Sequence, residues 1–249
     1  MPSREPLRFS NLKYMSKSPA HYLESLKGRP DSAALRRGRI VDKLVFGEKP
    51  TVFAGDRRSK AYKDFEAANP GADIFTDSEF YDAKAMADSI LLNPEHSEAA
   101  RLLRGGVIKT RIFWDFLGRA CSGEPDVAGE FLVDLKTTRC AQPELFKRDA
   151  DRFAYGAQLA WYRQGLILSG AQPPSACYLV AVETAPPYPV VVLRLTERKI
   201  EQGERLCRLW MERLLACEAE NCFPGYVQSF VEFDADTELD LTFGDEEAA

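Results

Sequence analysis

The stretch from Gly123 to Thr138, GEPDVAGEFLVDLKTT, holds three ionisable side chains that could act together: Asp126, Asp134 and Lys136. Asp134 and Lys136 stand two apart in a run that reads as a β-strand, so both leave the same face. Asp126 ends the preceding strand-like run and can sit opposite Asp134 across a hairpin. Two carboxylates about 4 Å apart repel by about 4 kcal/mol at an effective dielectric near 20. A fold gains nothing from that arrangement unless a cation lies between them. Oxygen ligands suit a hard ion, Mg²⁺ or Mn²⁺. Lys136 beside such an ion could stabilise an oxyanion and hold a metal-acidified water. The plainer alternative is a hairpin with surface acids and a solvated lysine, since D-x-K is common by chance. The apolar setting of LVDLK weighs against it, because burying Asp134 and Lys136 is costly unless they are paired or bound to metal.

The elements that would position these groups follow from patterning. Residues 1–105 read as mainly helical. Ser18-Pro19 is an N-cap and first-turn pair. A second helix is expected over about 32–46, a third in SKAYKDFEAAN before Asn69-Pro70-Gly71, and a fourth from a cap at Asp77 or Ser78 to about Leu92. HSEAARLL makes one more before Gly105-Gly106. Residues 107–118, 119–129 and 130–138 are β-rich, and the turns between them predict a three-stranded antiparallel meander. A helical stretch over 143–169 follows, with a possible break near Asp149-Ala150-Asp151. A second strand pair, ACYLVAVET and PVVVLRLT, precedes an amphipathic helix over about 197–220 with Leu206, Trp210 and Leu214 at i, i+4 spacing. The order predicts one α/β domain with a helical N-terminal portion.

With the motifs placed on these elements, the sequence resembles the PD-(D/E)xK nuclease superfamily, most closely the RecE/exonuclease VIII and RecB types. GEPDV…FLVDLKTT looks like the superfamily core, with Asp126 first and Asp134-x-Lys136 second. The third family element, Q-x-x-x-Y on the following helix, appears as Gln158 and Tyr162, and residues i and i+4 share a helix face. The fourth, G-x-x-x-H, appears as Gly38 through Asp42, with aspartate where the family has histidine. An acidic family position five before Trp114 is Lys109 here, read either as a DNA contact or as a sign of weakened catalysis.

The resemblance runs from about residue 8 to residue 225 and carries several implications. The fold would be a restriction-endonuclease-like core, a mixed central sheet flanked by helices, in a single domain over 1–230 with the catalytic core at 106–230. Asp126, Asp134 and the Leu135 carbonyl would bind Mg²⁺ or Mn²⁺, with Asp42 completing the set. Lys136 would orient the attacking water, and Gln158 and Tyr162 would position the scissile phosphate or Lys136. The implied activity is 5′ to 3′ exonuclease digestion of linear double-stranded DNA in phage-type recombination, by a homo-oligomer working beside a single-strand annealing protein. Two alternatives stay open: a single-strand-specific or nicking nuclease with the same site, and a weakly catalytic DNA-binding scaffold.

Composition bounds the rest. At 249 residues, 45% hydrophobic and 29% charged, the chain is an ordinary globular protein. It has no apolar run long enough for a membrane span and no secretory pattern at MPSREPLRFS, so a cytoplasmic location is expected, with no membrane association. The six cysteines are expected as free thiols, and their spacing does not suit an iron–sulfur cluster. His21 and His96 read as surface or helix-end residues. Net charge is −5, yet residues 231–249 hold eight acids and no base, while residues 1–50 hold eleven Lys/Arg against five Asp/Glu. A basic body can therefore bind a polyanion locally, and the tail reads as a separate acidic segment. Arg37 and Arg39, beside Gly38, and Arg139, beside the core, are candidate DNA contacts, with a solvated surface as the equal alternative. Trp114 and Trp161 could stack on bases, although their apolar contexts favour the core.

Overall fold

The computed structural model describes residues 5–28 and 30–226. The N-terminal part holds β1 (Leu7–Arg8), α1 (Phe9–Leu12), α2 (Pro19–Ser25), α3 (Ala33–Val45), β2 (Thr51–Phe53), α4 (Lys60–Ala68), β3 (Ile74–Thr76), α5 (Asp77–Leu92) and α6 (Ser97–Leu103). Five strands follow: β4 (Gly106–Ile108), β5 (Ile112–Phe116), β6 (Arg119–Gly123), β7 (Val127–Gly129) and β8 (Phe131–Thr138). The chain then forms α7 (Pro143–Arg152), α8 (Tyr155–Leu168), β9 (Ala176–Glu183), β10 (Val190–Leu195) and α9 (Glu197–Glu220). The expected acidic tail, 231–249, lies outside the described residues.

The helix starts are chemically specified. Side chains of Ser18, Ser32 and Ser59 each accept the backbone N–H three residues on, satisfying a donor that the helix leaves unpaired. For α5 the cap is Thr76, one residue before the expected position. Glu79 decides this by reaching back to the Thr76 N–H (2.9 Å) while Thr76 Oγ1 accepts the Glu79 N–H, a reciprocal capping box. The break between α7 and α8 falls at Phe153-Ala154, later than expected, with Ala154 in the left-handed region at φ +58°.

The expected meander does not form. Strands β5 and β6 pair antiparallel and are joined by β1, parallel to β6, in a separate three-stranded sheet. Strands β7 and β8 belong to the main five-stranded sheet, ordered β10-β9-β8-β7-β4. That sheet is mixed: β8 runs parallel to β9, while its other pairings are antiparallel. The parallel β8–β9 pair requires a crossover, which α7 and α8 supply.

Both faces of β8 are covered, which explains why LVDLK is so apolar. Val133 and Leu135 pack into a core with Ile40 and Val41 of α3 and Met86 and Ile90 of α5. Leu132, on the opposite face, packs with Phe146 of α7 and Leu159 of α8. By strand alternation Asp134 and Lys136 share that α8-facing side. A third core joins the small sheet to α9 through Trp114, Trp161, Trp210 and Leu214. Trp114 and Trp161 are therefore core residues, their rings 5.0 Å apart at 62°, with Trp161 Nε1 donating to the Ser122 carbonyl at 3.3 Å. No helix among the described residues is long and apolar enough to cross a membrane.

Candidate active site

Asp126 sits just before β7, where Val127 pairs with Val133 of β8. One step outward, its Oδ2 accepts the Leu135 N–H at 2.7 Å. This bond places Asp126 beside Asp134 and next to the Leu135 peptide. Asp134 is 2% exposed, and its Oδ2 forms an ion pair with Lys136 Nζ. That contact is close but poorly aligned, so Oδ2 otherwise lacks a hydrogen-bond partner. Asp126, Asp134 and Lys136 thus meet in one buried place.

The electrostatics follow from that burial. Desolvation, then the Asp134 charge, push the Asp126 carboxyl up to about 8, although Lys136 and the Leu135 N–H act the other way. Burial disfavours the Lys136 ammonium, but Asp134 and Asp126 more than compensate and hold it above the ordinary lysine range. The two neighbouring carboxylates thus favour the charged form of Lys136.

Helix α8 packs along the site. Gln158 Nε2 donates to the Tyr162 hydroxyl at 3.1 Å. Burial pushes the Tyr162 phenol up to about 12, with the Asp134 charge adding to it, so it stays protonated. A residue not anticipated from the sequence joins them. The Tyr155 ring lies under Lys136 Nζ, 4.8 Å from ring centroid to nitrogen, within cation–π range. The signal was present, since Tyr155, Gln158 and Tyr162 lie at i, i+3, i+7 on one helix face.

Close packing fixes this helix. A Cβ on Gly165 would stand 2.7 Å from the Trp114 ring, and one on Gly123 would stand 2.8 Å from the Tyr162 ring. The absent side chains let α8 approach the small sheet closely enough to bring Tyr162 to the acids.

A groove of about 190 Å³ adjoins Gln158 and Tyr162, and its wall includes Arg8, Lys13, Arg111 and Glu124. Arg111 pairs with Glu124 at 2.8 Å. Arg8 reaches the wall because β1 pairs with β6, with Arg8 opposite Ser122. Nothing in the spacing of the sequence marks Arg8 or Arg111, because their proximity arises from strand pairing.

The basic cluster on α3 is threaded by ion pairs. Arg39 is bound by Asp31 (2.9 Å) and Asp73 (2.5 Å), and Arg36 by Asp31 and Glu79 (both 3.1 Å). The Arg39 charge is thus matched by Asp31 and Asp73, the latter far off in sequence. Arg37 and Arg139 have no ion-pair partner among the described residues. Asp42 on α3 lies near Asp126, and its carboxylate bonds Lys109 Nζ, which also bonds Glu48 at 2.8 Å. The two departures from the family pattern therefore touch each other.

The donor set fits Mg²⁺ or Mn²⁺. Asp126 and Asp134 are hard oxygen donors, and Asp134 Oδ2 is buried with only the Lys136 ion pair to answer it among the described residues. Among the described residues no three histidine, cysteine or carboxylate side chains converge as ligands. Mg²⁺ commonly uses only one or two carboxylates, taking water and phosphate for the rest.

Comparisons with known proteins bear on the family and the fold. A family model described as a PDDEXK-like domain of unknown function (DUF3799) matches residues 8–230. No curated protein matches the sequence. The solved structure of a candidate exonuclease from Eubacterium rectale is similar, with a TM-score of 0.67, 16% identity, and coverage of 96% of this chain and 94% of that one. A phage related exonuclease from Haemophilus somnus aligns over 88% of this chain and 97% of its own, at 13% identity and a TM-score of 0.36. The matched span takes in the acids, the lysine and the Q-x-x-x-Y helix together, and the chain belongs to this PDDEXK-like family.

Proposed function

We propose that the chain is a metal-dependent deoxyribonuclease that hydrolyses phosphodiester bonds from the ends of linear double-stranded DNA. The observation that carries this reading is the meeting of Asp126, Asp134 and Lys136 in one buried place beside a cation-lined groove. A merely structural hairpin would leave two acids and a lysine in water, where they cost nothing.

The carboxylates of Asp126 and Asp134, with the Leu135 carbonyl, would hold Mg²⁺ or Mn²⁺. When bound, the ion would supply Lewis acidity and a water acidified toward hydroxide. Lys136, kept cationic by its neighbours, orients the attacking water and faces the charge that grows on the phosphate. Tyr155 holds Lys136 in place from below. Gln158 and Tyr162 present polar groups toward the scissile phosphate, with the phenol neutral and able to donate. Arg8 and Lys13 give the backbone of the incoming strand an electrostatic track. Polarity from 5′ to 3′, a role in phage-type recombination, oligomerisation and an annealing partner are finer parts of the same reading and rest on the sequence resemblance.

The test is digestion of end-labelled linear duplex beside closed circular plasmid, with Mg²⁺, Mn²⁺ or EDTA. Linear DNA is expected to be shortened from its ends with either metal, and circles are expected to survive. Lys136→Ala should reduce the rate by at least about 10²-fold while DNA binding persists. No cleavage with either metal, or full turnover in Lys136→Ala, would sink the reading.

A further inference from the structure

We infer that Lys109 acts as a built-in cation that occupies the Asp42 carboxylate, leaving a single divalent ion to Asp126, Asp134 and the Leu135 carbonyl. The inference rests on the nuclease reading for the existence of that metal site. It goes further in assigning Lys109 and in removing Asp42 from the ligands.

The arrangement is built at every point of contact. Lys109 Nζ bonds both Asp42 and Glu48, the latter at 2.8 Å, and lies 5.2 Å from the centroid of the Phe46 ring. Glu48 is itself held by Lys43 at 3.0 Å. The Lys109 side chain is 21% exposed and that of Asp42 29%, so the pair is largely sheltered from water. The backbone holds Lys109 as firmly. Its N–H donates to the Asp126 carbonyl at 3.1 Å, and its φ of +48° lies in the left-handed region that a non-glycine residue rarely adopts. One residue thus clamps the chain beside Asp126 through its backbone and neutralises Asp42 through its side chain. Lys109 shelters from solvent while remaining charged, since its two acids outweigh the burial that opposes it.

An oxygen already bonded to an ammonium is a poor ligand for a second cation, and the ammonium repels a metal ion brought close to it. The consequence is a metal site specified by two carboxylates, with Lys109 setting its affinity as a positioning and charge-balancing residue.

The test is Mn²⁺ titration by calorimetry on the whole chain without DNA. The wild type is expected to bind one Mn²⁺ per chain, and Asp126→Asn to lose that binding by at least about tenfold. The informative variant is the double one, Asp42→Asn with Lys109→Met, which removes the pair without changing net charge. It should keep the wild-type Kd within about threefold, since neither group touches the ion. Lys109→Met alone frees an acid beside the site and should tighten Mn²⁺ by about tenfold. If the methionine pair does not fold, Asp42→Asn with Lys109→Gln keeps a hydrogen bond there and reads the same Kd.

A double variant that loses as much affinity as Asp126→Asn would overturn the inference and leave the nuclease reading standing, because Asp42 would then be a ligand. Failure of the wild type to bind Mn²⁺ would overturn both.

Discussion

Replacing Asp126 by asparagine should make the metal-free protein more stable, although it removes a group from the candidate active site. Asp126 is raised from 3.8 to about 8 in the fold by burial and by Asp134. An acid whose folded value lies above its unfolded one binds more protons in the native state, so stability falls as pH climbs from 3.8 to about 8. That interval of roughly four units, at about 1.4 kcal/mol each, sets a ceiling of about 6 kcal/mol. The acid pair and Lys136 titrate together, so about 2–3 kcal/mol is the working expectation. Asparagine keeps an oxygen to accept the Leu135 N–H, now at 2.7 Å, and so removes the charge without breaking the bond. Urea unfolding in EDTA at several pH values reads the effect. Near pH 8 the variant should be the more stable by about 2–3 kcal/mol, or about 5–10 °C in Tm for a chain of this size. Near pH 4 the two proteins should agree within about 0.5 kcal/mol, because there both carry an uncharged group at position 126. Mg²⁺ should stabilise the wild type and not the variant. Equal pH slopes for the two proteins, or a less stable variant near pH 8, would refute the account of Asp126 as a charge held at a cost.

Three further perturbations follow from the same packing and charges. Gly165→Ala should destabilise by about 1–2 kcal/mol in thermal melts, since a methyl 2.7 Å from Trp114 overpacks the core by more than alanine's helix preference returns; a gain in Tm would contradict the close approach. Glu79 is opposed by burial yet lowered to about 2 by the Thr76 N–H, Arg57 and Arg36, so the stability it lends is present above 4.5 and is lost as pH falls toward about 2. After allowance for solvent screening, Glu79→Gln should be weaker than wild type by about 1–2 kcal/mol at neutral pH, with the gap closing in acid, as urea midpoints would show. Tyr155→Leu removes the ring face from Lys136 and should lower kcat by about tenfold with little change in KM, while Tyr155→Phe should restore it; an inactive Phe variant would point to the hydroxyl instead.

What the sequence disclosed and what it withheld divide along the physical range of the interactions. Asp134 with Lys136, Gln158 with Tyr162, and the Ser18 cap are all local pairs, brought together by the geometry of strand or helix alone. Helix α9 was legible over its full length, Glu197–Glu220, because its apolar stripe keeps a helical period. The meander was not legible. Strands β5 to β8 follow one another through short turns, and turn residues alone cannot tell which sheet a hairpin joins. That choice is made by β1, more than a hundred residues earlier, and by the burial of Trp114 against α8 and α9. The pairing of Arg39 with Asp73 across 34 residues was hidden for the same reason.

The same distinction explains how a substitution in a motif can be compatible with a working site. Read along the chain, Asp42 for histidine and lysine at position 109 look like two separate losses, 67 residues apart. In space they form one ion pair next to Asp126, so the carboxylate at position 42 arrives with a cation beside it. Two acids are already crowded at Asp126 and Asp134, and a third with no counter-charge would raise the repulsion that the fold must bear without metal. Lysine at position 109 removes that increment, and its N–H on the Asp126 carbonyl places the correction at the residue most strained by charge. The carboxylate at position 42 is thereby answered by a cation within bonding distance, which a residue-by-residue reading of the motif does not reveal.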